Sequence, residues 1–133
     1  MITYKDTRSF SSADLERLFL SVDWASGAYP HRLQHALTHF DAVRSAWNST
    51  RLVGLAAAMD DGEMTAYIHY VLVDPAYQGQ GIGTELMHRL LSHYRTFLRV
   101  SLIAVNEKID FYGHFGFVPD SNKTPMSLTS LWN

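Results

Sequence analysis

The spacing of apolar residues along the chain alternates between the period of a helix and that of a strand. In residues 11–22, Leu15, Leu18, Phe19 and Val22 recur three and four positions apart, which predicts an amphipathic helix capped by Ser11 or Ser12. Residues 63–73 end in a continuous apolar run, which is typical of a central strand covered on both faces. The pattern therefore predicts a mixed α/β protein.

Turn-forming residues divide the remaining chain into further helices and strands. Pro30 suits the first turn of a second helix, and Gly54 indicates a kink or a close contact within a strand. The order β-α-α-β-β-β-α-β-α-β-β predicts one mixed sheet of six or seven strands flanked by four helices, within a single domain over residues 1–133. The predicted helices are 11–22, 30–40, 81–93 and 106–115, and the predicted strands are 2–4, 42–47, 51–59, 63–73, 99–105, 116–118 and 126–133.

Composition narrows the possible functions. The 133 residues carry a net charge of −2, which gives no case for nucleic acid or an anionic membrane as the main partner. The chain has no Cys, which excludes disulfides, thiolate metal sites and a cysteine nucleophile. Residues 1–10 are charged and lack an apolar core, so no signal peptide is expected there. These features predict a cytoplasmic protein.

The segment QGQGIG, residues 78–83, stands between a predicted strand and a predicted helix. Glycine lets backbone N–H groups approach a ligand closely, and a helix start favours anions, so the segment predicts a phosphate or pyrophosphate site. No Lys-Ser or Lys-Thr follows it, as a Walker loop requires. It also lacks the spacing and the later acidic residue of a dinucleotide-binding fingerprint. A tight turn without a ligand is the alternative interpretation.

Two motifs at a fixed separation resemble those of the GNAT superfamily of N-acetyltransferases. VLVDPAYQGQGIG is similar to its motif A, R/Q-x-x-G-x-G/A after a strand, with Gln78, Gly81 and Gly83 in the motif positions. FYGHFGF, residues 111–117, is similar to its second signature, F-Y-x-x-x-G-F. The predicted element order resembles that fold over the whole chain. The resemblance implies splayed central strands and acetyl transfer from acetyl-coenzyme A to a primary amine.

The same resemblance implies which residues hold coenzyme A. The ends of the central strand would pair with the pantetheine arm, and the glycine segment would hold the pyrophosphate through backbone N–H groups. Asn106 is a further candidate, although it lies six residues before Tyr112 and the family spacing is seven. The implied contacts on the strand and the glycine segment are Val71, Leu72, Val73, Gln78, Gly79, Gln80, Gly81, Ile82, Gly83 and Thr84.

The resemblance also implies catalytic groups. Tyr112 occupies the position of the tyrosine that commonly protonates the leaving sulfur, and its alternative is a role as an aromatic wedge among neighbouring Phe residues. The family often carries a Glu base on the central strands, but residues 65–73 and 99–105 contain no carboxylate. His69 and Tyr67 share a face by strand alternation and are the candidate bases. A buried structural His and deprotonation through water are the alternatives.

Trp24, Tyr29 and His31 fall where family members shape the acceptor pocket, which suggests a small amine with an apolar body; Trp24 in the core is the alternative. His31, His35 and His39 lie four residues apart, but we expect a solvated stripe and no metal. The expected enzyme is an N-acetyltransferase that transfers acetyl directly in a ternary complex to a small-molecule or peptide amine. A coenzyme A-binding sensor without turnover and an unrelated nucleotide-binding domain are alternatives, and a homodimer is possible.

Overall fold

The structure, a computed structural model, describes residues 1–131. Within them, strands and helices follow in the order β-α-α-β-β-β-α-β-α, which confirms the predicted mixed α/β class. The strands are β1 (Ile2–Lys5), β2 (Ala42–Asn48), β3 (Arg51–Asp60), β4 (Thr65–Val73) and β5 (Arg99–Leu102), and the α-helices are α1 (Ser12–Ser21), α2 (Pro30–Leu37), α3 (Ile82–Ser92) and α4 (Ile109–Gly113).

The strands form one sheet in sequence order, β1-β2-β3-β4-β5. The first four pair antiparallel, with short turns joining β2 to β3 and β3 to β4 and with α1 and α2 lying between β1 and β2, whereas β5 pairs parallel to β4. A parallel pair needs a crossover connection, and α3 supplies it. Consequently β4 is the strand at which the sheet changes from antiparallel to parallel pairing.

Each face of the sheet is covered by helices and carries its own apolar core. α1 and α2 cover one face and α3 covers the other. A Cβ on Gly54 would lie 3.1 Å from Leu86 Cδ1 and 3.3 Å from Ile82 Cγ2, so glycine in β3 allows α3 to pack closely, as the sequence predicts. The α1 and α2 core includes Leu15, Phe19, Leu37, Leu55, Tyr70 and Leu72, and the α3 core includes Val53, Ala56, Ile68, Leu86, Met87 and Leu90.

The predicted sheet of six or seven strands is too large, because the described residues form five. Residues 116–118 and 126–131 are not strands, and β5 ends at Leu102 and not at residue 105. The side chains of Val118, Met126 and Leu128 are 83%, 91% and 103% exposed. An alternating pattern favours a strand only where a neighbouring strand pairs with it, and these segments have none. Residues 132 and 133 of the predicted last strand lie outside the described residues.

Within residues 1–131, no helix is both long enough and apolar enough to cross a membrane.

Candidate active site

A groove opens where β4 and β5 stop pairing. Their parallel register ends at Ile68 and Leu102, whereas β4 continues to Val73. Residues 70–73 are therefore paired with β3 on one side only, and the other edge of this part of β4 faces a groove of about 710 Å³. This separation is the splay of central strands that the resemblance implies.

Five segments line the groove, namely the loop after α1, the end of β4, the glycine segment with the start of α3, the segment after β5, and α4. The lining combines residues that the sequence predicts for the site with residues that it does not. The lining includes Asp23, Trp24, His69, Val71, Leu72, Val73, Gln78, Gly79, Gly81, Ile82, Gly83, Thr84, Ile103, Ala104, Val105, Lys108, Phe111 and Tyr112.

His69 occupies a β-bulge in β4. Ala57 pairs with Tyr70 and Ala58 pairs with Ile68, so His69 is the extra residue of its strand. A bulge disturbs the alternation of side chains and re-aims them locally. As a result, the rings of His69 and Tyr70 lie close together, with centroids 4.4 Å apart, although they are neighbours in sequence. The bulge begins immediately after the last residue of β4 that pairs with β5.

The imidazole of His69 faces the groove against aromatic rings. Its centroid lies 5.5 Å from Tyr67 and 6.2 Å from Phe40, and its Nδ1 lies 3.5 Å from Tyr67 Oη, a long contact. These rings remove water from one side of the imidazole and lower the pKa of His69. The pKa of Tyr67 is raised by burial and, to a lesser extent, by Tyr70. At neutral pH both groups are therefore uncharged.

The glycine segment adopts a backbone that other residues rarely take. Gly79 and Gly81 have φ values of +80° and +81°, in the left-handed region, and a Cβ on either would meet nothing within 4 Å. A side chain at either position would have room, so it is the left-handed backbone conformation that favours glycine there. In contrast, Gly83 lies inside α3, where an added Cβ would contact Phe111 Cζ at 3.4 Å.

The start of α3 presents free backbone donors to the groove. Gly81 is the N-cap residue and offers no side chain to accept them. The first N–H groups of a helix have no partner within it, and the helix dipole makes them attractive to anions. Because Ile82, Gly83 and Thr84 also line the groove, this helix start has the features of an anion site at the groove wall.

The turn that joins β4 to the glycine segment is fixed by Asp74, which the sequence analysis did not single out. Its side chain is buried, accepts a hydrogen bond from Ala76 N at 2.9 Å and lies 3.4 Å from Arg51 Nη2. Its own N–H donates to Val53 O at 2.8 Å. Gln78 Nε2 donates to Val73 O at 2.9 Å across the same turn. The segment is therefore held in place from both sides.

Tyr112 lies on α4 and lines the groove. Its ring packs edge-on against Phe111 and Phe117, with centroids 5.0 Å and 6.1 Å away. Burial raises the pKa of Tyr112 to about 12, so its hydroxyl stays protonated at neutral pH. Tyr112 therefore packs among Phe rings, as an aromatic wedge would, and also lines the groove, as a donor to the sulfur must. The two interpretations of this residue are compatible.

Other predicted site residues lie away from the groove. Tyr67, Gln80 and Asn106 do not line it, and Tyr29 and His31 are exposed near the start of α2. Trp24 lines the groove, and its ring centroid lies 6.0 Å from that of Phe19. Its side chain therefore contacts both the core and the groove. The roles of all these residues remain predictions.

A second concavity, of about 640 Å³, lies between β1 and α3 and is lined by charged residues. Two of these pair with each other, since Arg89 Nε lies 2.7 Å from Glu85 Oε2, and Arg89 also lies over the Tyr4 ring. This surface is a solvated charged face. In the described part of the chain, no group of three or more potential ligands has the geometry of a metal site.

Comparisons with known proteins agree with this geometry. The model of the acetyltransferase (GNAT) family matches residues 8–117. An uncharacterized N-acetyltransferase of Porphyra purpurea is 32% identical over 120 residues, which cover 86% of this chain and 69% of that protein. GCN5-related N-acetyltransferase 2, chloroplastic, of Arabidopsis thaliana is 42% identical over 72 residues, but these cover only 28% of its length and 53% of this chain.

Among solved structures, a GNAT-family acetyltransferase from Streptococcus pneumoniae TIGR4 superposes with a TM-score of 0.84. The two proteins are 28% identical, and the match covers 98% of each chain. The similarity therefore extends over the groove as well as over the sheet.

The position of His69 beside aromatic rings predicts the direction in which the pKa of its imidazole is shifted. Because desolvation lowers its pKa, the imidazole should titrate below the usual value of about 6.5, and it should gain its proton only at more acidic pH. The measurement is a pH titration of the imidazole proton shifts by NMR, with His69→Gln identifying the resonance. A midpoint at or above the usual value would contradict the desolvation argument.

Proposed function

The chain belongs to the GNAT family of acetyltransferases, and from that premise we propose that it transfers acetyl directly from acetyl-coenzyme A to a primary amine held in the same groove. Family membership supports an acyltransferase and argues against the unrelated nucleotide-binding domain that the sequence alone left open, whereas thiol release separates the enzyme from a sensor of the same fold. The observation that carries the proposal is the free edge of β4 beside an uncapped helix start. The free strand edge suits an extended ligand with amide groups, and the helix start suits a pyrophosphate.

The groove fits coenzyme A on chemical grounds. An unpaired strand edge offers backbone N–H and C=O groups that an extended ligand with amide groups can join as a further strand. Val71, Leu72 and Val73 are the proposed partners of the pantetheine arm. The glycine segment and α3 are the proposed cradle of the pyrophosphate, and Lys108, the one Lys or Arg among the described lining residues, adds a complementary charge.

The reaction requires a neutral amine. An alkylamine with a pKa of about 10.4 is neutral in roughly one molecule in 10³ at pH 7, which costs about 4–5 kcal/mol. We propose that His69 accepts the proton, because its lowered pKa keeps it neutral and it lines the groove. Tyr67 is the weaker candidate, since its raised pKa keeps it protonated. The amine nitrogen then bonds to the thioester carbon as the carbon–sulfur bond breaks.

Tyr112 is proposed to act on the leaving sulfur. With a pKa of about 12 its hydroxyl is always available as a donor, but it is a weak acid toward a thiolate whose conjugate acid has a pKa of about 8.5. We therefore propose that Tyr112 stabilises the developing thiolate by a hydrogen bond, without net loss of its proton. Hydrogen bonds to charged groups are stronger than neutral ones.

The acceptor, the oligomeric state and the location in the cell remain proposals. Trp24 at the groove supports the expected small amine with an apolar body. The homodimer that the sequence analysis left possible is untested, the cytoplasmic location remains a prediction, and the Arabidopsis relative is named as a chloroplastic protein. The expected lack of a nucleic-acid or membrane partner also remains a prediction.

The activity itself is tested by thiol release. The full chain with acetyl-coenzyme A should release free thiol only when an amine is added, and the acetylated amine should appear in equal amount by mass spectrometry. Thiol release without an acetylated amine would indicate hydrolysis, and no release across a broad panel of amines would reject the transferase proposal.

Tyr112→Phe tests the proposed donor, because it deletes one oxygen and keeps the ring. We expect kcat to fall about 10–100-fold, the size of one hydrogen bond to a charged group, while acetyl-coenzyme A affinity is unchanged. Tyr4→Phe, outside the groove, is the control and should keep full turnover. The loss should shrink with an acetyl donor whose thiol is more acidic. An equal loss with both donors would show that Tyr112 only positions the thioester.

Gly81→Val tests the proposed pyrophosphate cradle. A β-branched residue is disfavoured at φ +81° and adds bulk beside the N–H groups, so acetyl-coenzyme A affinity should fall at least ~10-fold in calorimetry. Gly62→Val is the matched control, because Gly62 has the same φ, +81°, and equally open space but lies in the β3–β4 turn. Both variants should lose similar stability. Equal affinities in the two variants would remove the glycine segment from the site.

A further inference from the structure

The charges of the groove are divided between two of its segments. Among the described lining residues, Asp23 is the one Asp or Glu and Lys108 the one Lys or Arg. Lys108 belongs to the turn before α4, and Asp23 belongs to the loop after α1. The groove therefore carries one negative charge that the binding of a phosphate ligand does not use.

The loop holds the Asp23 backbone in a defined position. Asp23 has φ 60°, which is uncommon for a residue other than glycine. Its N–H donates to Leu20 O at 3.1 Å, and the N–H of Trp24 donates to Phe19 O at 3.0 Å, so both backbones are anchored to α1. The carboxylate is exposed and has no hydrogen bond or ion pair within residues 1–131. It is thus available to a ligand.

Asp23 immediately precedes Trp24, whose ring belongs to the aromatic cluster that contains the proposed base, and both residues line the groove. The ring centroid of Trp24 lies 6.3 Å from that of Tyr70. The ring centroid of Tyr70 in turn lies 4.4 Å from that of His69. Aromatic faces attract cations, and a carboxylate in the same groove adds a full opposite charge. This part of the groove is therefore suited to a positively charged group.

The reacting amine itself is a poor partner for this carboxylate. A nearby negative charge raises the pKa of an ammonium group and so opposes the deprotonation that acetyl transfer requires. The charge of Asp23 assists catalysis only if it holds a second cationic group of the acceptor. Resting on the proposed function, we propose that the acceptor is a small diamine or polyamine. Asp23 and Trp24 bind one ammonium group while the other nitrogen, deprotonated through His69, receives the acetyl group.

The test compares 1,4-diaminobutane with butylamine, two probes that differ by one amino group. Their binding to the full chain saturated with coenzyme A is measured by calorimetry, and their acetylation is followed by thiol release. We expect Asp23→Asn to weaken 1,4-diaminobutane binding and to raise its KM, each about 10-fold, with butylamine unchanged. Asn tolerates the left-handed conformation, and Asp23→Gly removes the carboxylate in a residue that favours it. Glu16→Gln, an exposed acidic residue of α1 outside the groove, is the charge-matched control.

Salt provides an independent readout, because screening weakens an exposed ion pair. The preference of the unsubstituted chain for the diamine should shrink as ionic strength rises, and neither Asp23 variant should show this dependence. Equal binding of the two probes, or unchanged diamine binding in both Asp23 variants, would overturn the proposal while thiol release still supports an acetyltransferase. Conversely, Asp23-dependent diamine binding without thiol release from any amine would support the diamine site and reject the proposed reaction.

Discussion

The site depends on a single break in hydrogen bonding, at the point where β4 parts from β5. The β4 backbone pairs with β3 from Ala66 to Val73, but it pairs with β5 only as far as Ile68. Buried backbone groups need partners, so a free strand edge inside a fold persists only where solvent or a ligand supplies them. The groove is this free edge together with the segments that surround it.

The rest of the fold keeps the free edge rigid. β4 side chains enter both cores, with Tyr70 and Leu72 on the α1 and α2 side and Ile68 on the α3 side. The buried Asp74 fixes the end of the strand to the glycine turn and, through its N–H, to β3. A site built on a central strand with packed neighbours holds its geometry better than one built on loops. The bulge at His69 presents a polar side chain beside the rings of Tyr67 and Tyr70.

Burial acts in the same chemical direction on both proposed catalytic groups. Desolvation disfavours the charged form, so it raises the pKa of Tyr112 and lowers that of His69. Near neutral pH the groove thus presents an uncharged hydrogen-bond donor and an uncharged proton acceptor. These are the states that a leaving thiolate and an attacking amine need, and no metal or cysteine takes part in the proposed chemistry.

The sequence by itself determined the class of the fold, the order of its elements through α4, and the glycine segment. These depend on local patterns, namely apolar spacing along each element and glycines where a strand meets a helix. Tertiary structure alone decided the rest. The bulge at His69 and the end of β5 at Leu102 are set by pairing between distant strands, and Asp23 enters the groove because α1 and β4 pack together. The closing strands predicted at 116–118 and 126–131 did not form for the same reason. A period-two pattern gives a segment the tendency to be a strand, but hydrogen bonds with a partner, which the segment does not encode, make it one.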